Sequence, residues 1–191
     1  MAIRLNVLLY KPNTSSGRRT CAHPKNVPAE TPLIMLRGLV KLIRFMDGLS
    51  GPAELDDIER LLREADVDRE DMVVACKFSE VNYARNILAK SPWYQLIVIC
   101  WREGQASPIH DHGESACGVR VVDGTATELR YEKVDDGSVR MRSQGEFSPG
   151  DVCVTSTDQI HVIRNEAGRD DLITLHLYSP PLEMSFFEPR D

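Results

Sequence analysis

From Lys77 onward the sequence is a succession of short runs rich in Val, Ile, Leu and Tyr, broken by Gly, Pro, Asp and Asn at intervals of roughly ten residues. A chain punctuated this often has no room for long helices and must satisfy its backbone by pairing short strands. The candidate strands are 83–88, 95–101, 107–110, 117–122, 125–134, 139–146, 152–155, 160–165, 172–178 and 184–187. Asp135-Asp136-Gly137 suits a hairpin turn, because Asp-Gly tolerates the positive φ that tight turns require. With no helices between the strands, the pairing should be antiparallel and the fold mainly β, a jelly-roll β-barrel.

The first third reads differently. Between 31 and about 65, Leu36, Leu39, Val40, Ile43 and Met46 recur at three- and four-residue spacing, which lays one apolar stripe along a helix. Gly48, Gly51 and Pro52 end it; Leu55, Ile58, Leu61 and Leu62 mark a second amphipathic helix, and 69–76 a shorter one. These helices should pack outside the barrel, making 31–191 a single domain, helical over 31–76 and barrel over 77–191. Residues 1–30, with turn formers such as Pro12, Asn13, Gly17 and Pro24, are expected to be a poorly ordered arm.

Charge and cysteine usage narrow the partners. The net charge of −6 excludes a broad nucleic-acid surface, so an anionic substrate would need a local cation. The five cysteines (Cys21, Cys76, Cys100, Cys117 and Cys153) are odd in number and form no CxxC pair. That argues against a disulfide framework or zinc knuckle and for a reducing, cytoplasmic setting. No leader and no apolar stretch of membrane-spanning length is visible, so no membrane partner is expected. A monomer is expected.

The histidines carry the chemistry. Only His23, His110, His112, His161 and His176 exist. In His110-Asp111-His112 the two imidazoles are two residues apart, so on a strand both point the same way, into the barrel. His161 lies on another candidate strand. Three imidazoles on barrel strands make a mononuclear site for Fe, Mn, Zn, Cu or Ni.

The frame around these histidines resembles the two motifs of the cupin superfamily. In the first, Gly104, His110, His112 and Gly124 fall in register, and Cys117 stands where a Glu is usual. In the second, Gly150, His161 and Asn165 match, while Ser156 and Asp158 replace the usual Pro and Gly. Without the carboxylate, three neutral imidazoles leave a divalent ion its full charge. Such a centre favours an anionic ligand, notably a thiolate, and leaves room for O₂.

Over 36–188 the chain also resembles the cysteine dioxygenase family. The likeness rests on Tyr83-Ala84-Arg85-Asn86, Cys100-Trp101, Ser107-Pro108-Ile109-His110-Asp111-His112 and His176-Leu177-Tyr178-Ser179-Pro180-Pro181. That family oxidises the thiol of cysteine with O₂ on Fe(II), giving cysteine sulfinate. The resemblance implies Fe(II) on His110, His112 and His161, with L-cysteine and O₂ as partners. It implies Arg85 as the group that binds the substrate carboxylate and Tyr83 as a pocket tyrosine. A hydroxyl–His–Tyr relay matches Thr174, His176 and Tyr178, with Thr where Ser is common. Cys117 and Tyr178 match a pair that some members join through a thioether.

The residue types fit those roles. The planar fork of Arg85 suits a carboxylate, and an unpaired Arg on a buried strand face would need one. Thr174, His176 and Tyr178 alternate with Ile173, Leu175 and Leu177, a period-two pattern with polar and apolar faces. Relatives acting on 3-mercaptopropionate usually carry Gln at the position of Arg85 and lack the Ser-Pro-Pro turn, so both features favour cysteine. Another cupin enzyme and a non-catalytic metal-binding cupin stay open as alternatives.

Overall fold

The computed structural model describes residues 37–134 and 137–189. The expected arm, 1–30, the start of the first helix, 31–36, and Asp135-Asp136 of the hairpin lie outside the described residues. Among the described residues eight strands form: β1 (Ala84–Lys90), β2 (Gln95–Trp101), β3 (Ala116–Asp123), β4 (Ala126–Lys133), β5 (Val139–Phe147), β6 (Val152–Thr155), β7 (Ile160–Arg164) and β8 (Leu172–Ser179). They pair antiparallel in a five-stranded sheet, order β1-β2-β8-β3-β6, and a three-stranded sheet, order β5-β4-β7.

Two expected strands, 107–110 and 184–187, appear only as isolated bridges, His110 to His161 and His110 to Phe186. Pro108 has no N–H to give a ladder, so pairing there is intermittent. The segment is nonetheless pinned: Ser107 N donates to Ile163 O, His110 N to His161 O, and Phe187 N to Ile109 O, at 2.9, 3.1 and 3.0 Å.

Among the described residues three helices precede the barrel: α1 (Arg37–Asp47), α2 (Leu55–Glu64) and α3 (Arg69–Met72). The third is shorter than expected. Asp68 and Asp71 form a capping box that secures one turn. Beyond Met72 the exposed Val73 and Val74 gain nothing from continuing the helix.

β2 explains how the layers meet. Its sequence, QLIVICW, is apolar on both faces because both are covered. Leu96, Val98 and Cys100 join the outer cluster under the helices, with Leu39, Leu42, Ile58, Leu61 and Leu62. Ile97, Ile99 and Trp101 join the barrel interior with Val119, Val121 and Ile163. β8 follows the same rule: Ile173, Leu175 and Leu177 face the helices, and Thr174, His176 and Tyr178 are left for the interior.

α2 packs closely over Gly118 on β3. A Cβ there would lie 2.5 Å from both Ile58 Cγ2 and Leu62 Cδ1. Gly118→Ala should therefore cost about 1–3 kcal/mol of unfolding free energy through overpacking. Urea denaturation checks this; an unchanged midpoint would mean that α2 yields freely. The motif glycines Gly104, Gly124 and Gly150 have φ of +76°, +79° and +94°, turn conformations that side chains rarely adopt. Among the described residues no helix is long and apolar enough to cross a membrane.

Candidate metal centre

His110, His112 and His161 meet inside the barrel, each offering one ring nitrogen, with these atoms all within 4.8 Å of one another. Their ring centroids are 4.8–5.2 Å apart. All three are buried, at 6%, 1% and 2% exposure. His110 and His161 are brought together by a two-way backbone pair, His110 N to His161 O and His161 N to His110 O. Asp111, between the two ligands, turns away and accepts from Gly113 N at 3.2 Å and Ser185 N at 3.0 Å.

The donor set fits a metal. Burial, then the neighbouring His161, presses the pKa of His110 down to about 4. Burial, then His161 and His110, presses that of His112 down to about 2. Both rings are thus neutral and keep a lone pair at ordinary pH. His110 Nδ1 faces Pro108 O at 2.9 Å and His161 Nδ1 faces Glu128 Oε1 at 2.8 Å. Both partners accept, so both Nδ1 atoms carry the proton and Nε2 is left to bind. Three convergent imidazole nitrogens suit a first-row transition ion.

Glu128 was not legible as a site residue. It lies on β4, is 2% exposed, and its other oxygen accepts from Arg130 Nε at 2.8 Å. Burial works to raise its pKa, but the bonds from His161 and Arg130 prevail and hold it below the usual range. It is an ionised carboxylate directly behind a ligand.

A second buried chain runs along β8. Trp101 Nε1 donates to Thr174 Oγ1 at 2.9 Å, and Thr174 Oγ1 lies 2.8 Å from His176 Nε2 but 3.5 Å from Ile99 O. The shorter contact takes the hydroxyl proton, so His176 Nε2 accepts and its Nδ1–H donates to Tyr178 Oη at 3.0 Å. That leaves the phenol proton free to point elsewhere. Burial, then the charge of Arg85, keeps His176 neutral, and burial, then Cys117, holds Tyr178 protonated. Trp101 thus extends the expected relay by one member. The signal was its place in the Cys100-Trp101 stretch, to which no role could be attached.

Tyr178 is also near the centre, its ring 5.9 Å from that of His112. Cys117 sits directly opposite Tyr178 in the β3–β8 register and is fully buried. Tyr83 stacks on Trp101 at 4.6 Å. Arg85 lines the same cavity, its guanidinium 6.0 Å from the Tyr178 ring. One expectation is corrected here: Arg85 is not buried but exposed at the cavity mouth. β1 is the edge of its sheet, so water solvates the charge. No carboxylate among the described residues pairs with it. The cavity is about 20 Å³, room for a water-sized group. A larger groove, about 910 Å³, lies outside around Arg102 and Arg169. There the arginines are already paired with Asp171 and Glu146, and none of the three clustered histidines is present.

Residues 28–188 match the family described as cysteine dioxygenase type I. The chain belongs to that family. Among cysteine dioxygenase type I relatives, the protein named cysteine dioxygenase type 1 from Rattus norvegicus is 28% identical over 159 residues, 80% of each chain. The protein of the same name from Homo sapiens is 28% identical over 160 residues, 81% of this chain and 80% of that one. The fold is similar to the crystal structure of an uncharacterized conserved protein with a double-stranded β-helix domain from Klebsiella pneumoniae. That match has a TM-score of 0.52 at 16% identity, covering 61% of this chain and 88% of the other. The mainly β jelly roll expected from the strand spacing, and the cupin fold implied by the motif resemblance, are borne out.

Proposed function

We propose that this protein is a thiol dioxygenase that oxidises L-cysteine with O₂ to cysteine sulfinate, using Fe(II) held by His110, His112 and His161. The observation that carries the reading is one small cavity lined by two of these histidines, the phenol of Tyr178 and the guanidinium of Arg85. Bound there, Fe(II) would take the substrate thiol as thiolate and activate O₂, both of whose atoms go to sulfur.

The chain's own residues bind and orient. Arg85 receives the substrate carboxylate in its fork and closes the mouth as it does so. Tyr83, stacked on Trp101, gives the same wall a rigid aromatic face. Tyr178 offers an O–H to the reacting end, because His176 already donates to its oxygen and Thr174 holds His176 in that tautomer. Ile99 and Ile163 line the cavity and keep bulk water from the thiolate. The odd cysteine count supports a reducing cytoplasm as the working compartment, and we take the working unit to be a monomer.

Thiol-dependent O₂ uptake by iron-loaded protein, with sulfinate quantified, tests this. Cysteine should be consumed one-to-one with O₂, faster than 3-mercaptopropionate. A preference for 3-mercaptopropionate would assign the sister activity, and no thiol-dependent uptake would leave a metal-binding cupin.

The Cys117–Tyr178 register supports a thioether between Sγ and the phenol ring, formed with loss of two hydrogens to O₂. Intact-mass analysis after turnover should find part of the protein about two mass units lighter, and Cys117→Ser protein unchanged. Peptide maps that always recover the two residues separately would rule the bond out.

A further inference from the structure

The three imidazoles differ in what stands behind them. His112 Nδ1 is buried without a partner. His110 Nδ1 meets a peptide carbonyl, Pro108 O. His161 Nδ1 alone meets a carboxylate, Glu128 Oε1 at 2.8 Å. Cross-strand register places Arg130 opposite His161 and Glu128 opposite Ile163, so Glu128 reaches His161 along the diagonal of the β4–β7 pair. Arg130 binds the other oxygen, and Cys153 Sγ lies 3.7 Å from both. A pairing with Arg130 alone would need no burial: Arg130 is 38% exposed and could meet a carboxylate at the surface. Glu128 is instead drawn inward, to 2% exposure, on the side of the ligand.

We propose that Glu128 is the positioning residue of the metal centre. It fixes the His161 ring with Nε2 toward the metal and makes that ring the strongest donor of the three. The centre has Cys117 where the cupin pattern places a ligating Glu; Glu128 returns a negative charge one layer behind the ligands. Arg130, on the other carboxylate oxygen at 2.8 Å, offsets part of that charge without touching the His161 contact. The inference rests on the three-histidine centre of the proposed function and is independent of which thiol is oxidised.

Titrating metal-free protein with Co(II), read by visible absorption and by competition with a chelator, tests it without turnover. Glu128→Ala should raise the Co(II) dissociation constant about 10- to 100-fold. Glu128→Gln, nearly isosteric and the variant to rely on if the Ala protein does not fold, should raise it about tenfold and shift the absorption band. Glu128→Asp should recover part of the loss. Arg130→Gln, which leaves the carboxylate in place, should bind Co(II) within about threefold of the parent. Folded Glu128→Gln protein with parental affinity and spectrum would overturn the role, and so would an Arg130→Gln loss as large as that of Glu128→Gln. A parent chain that binds no metal would instead overturn the centre, and the inference with it.

Discussion

His161→Ala protein should bind Fe(II) or Co(II) more than about a hundredfold more weakly than the parent, and its metal-free form should be the least stable of the three ligand-to-alanine proteins. The first expectation follows from the ligand set. Losing a partner behind a ligand already costs about 10- to 100-fold in affinity, so losing one of three ligands costs more. The second follows from what each substitution leaves behind. His161→Ala takes from Glu128 Oε1 its one close donor, leaving a buried carboxylate oxygen with only the weak donor Cys153 Sγ at 3.7 Å, since Arg130 binds the other oxygen. An uncompensated buried acceptor costs about 1–3 kcal/mol, and more when charged. His110→Ala strands a neutral carbonyl, Pro108 O, and His112→Ala strands nothing, since its Nδ1 has no partner. Metal content after dialysis and urea unfolding of the metal-free proteins measure both effects. Full metal content in His161→Ala protein would remove that residue from the centre. An unfolding order with His112→Ala lowest would break the link between the hydrogen bonds and stability.

The parts of this molecule that could be read in advance are those that local pattern determines. The alternation in Thr174–Tyr178 placed three polar groups on one strand face, and β8 turns that face inward because its apolar face is occupied by the helices. The spacing of His110 and His112 put both imidazoles on one side of the chain, and the glycine frame put His161 beside them through the His110–His161 backbone pair. Register between distant strands is different. Glu128 and Glu132 share β4 and its parity, yet Glu128 is buried against His161 while Glu132 pairs with Arg140 at the surface. Nothing along the strand separates them; the partner strand β7 does, with its pairing ending at Tyr131↔Ile160. The same limit applies to Arg85. Its period-two relation to Tyr83 placed it on the cavity side, but whether that side was sealed depended on β1 being an edge.

That exposure sets the size of the last expected effect. Arg85→Gln should raise the apparent KM for cysteine about tenfold, with a smaller change in kcat. A hydrogen bond to a charged group is worth about 1.5–3 kcal/mol when the pair is dry, and an exposed ion pair about 0–1. Arg85 stands in water before substrate arrives and is covered by it afterwards, so a value near 1.4 kcal/mol, or tenfold, lies between those limits. Because the carboxylate is remote from the reacting sulfur, the bond is made alike in the ground and transition states, which is why KM should carry the effect. Cysteamine has no carboxylate, so parent and variant should treat it alike. 3-Mercaptopropionate keeps the carboxylate but lacks the amine, so its KM should also rise with the substitution if the fork grips carboxylates as such. A gain for 3-mercaptopropionate in the variant would mean that Arg85 discriminates by excluding the wrong thiol. Steady-state O₂ consumption with the three thiols on both proteins separates these outcomes. Identical cysteine kinetics would take Arg85 out of substrate binding and, with it, the chief reason for choosing cysteine among small thiols.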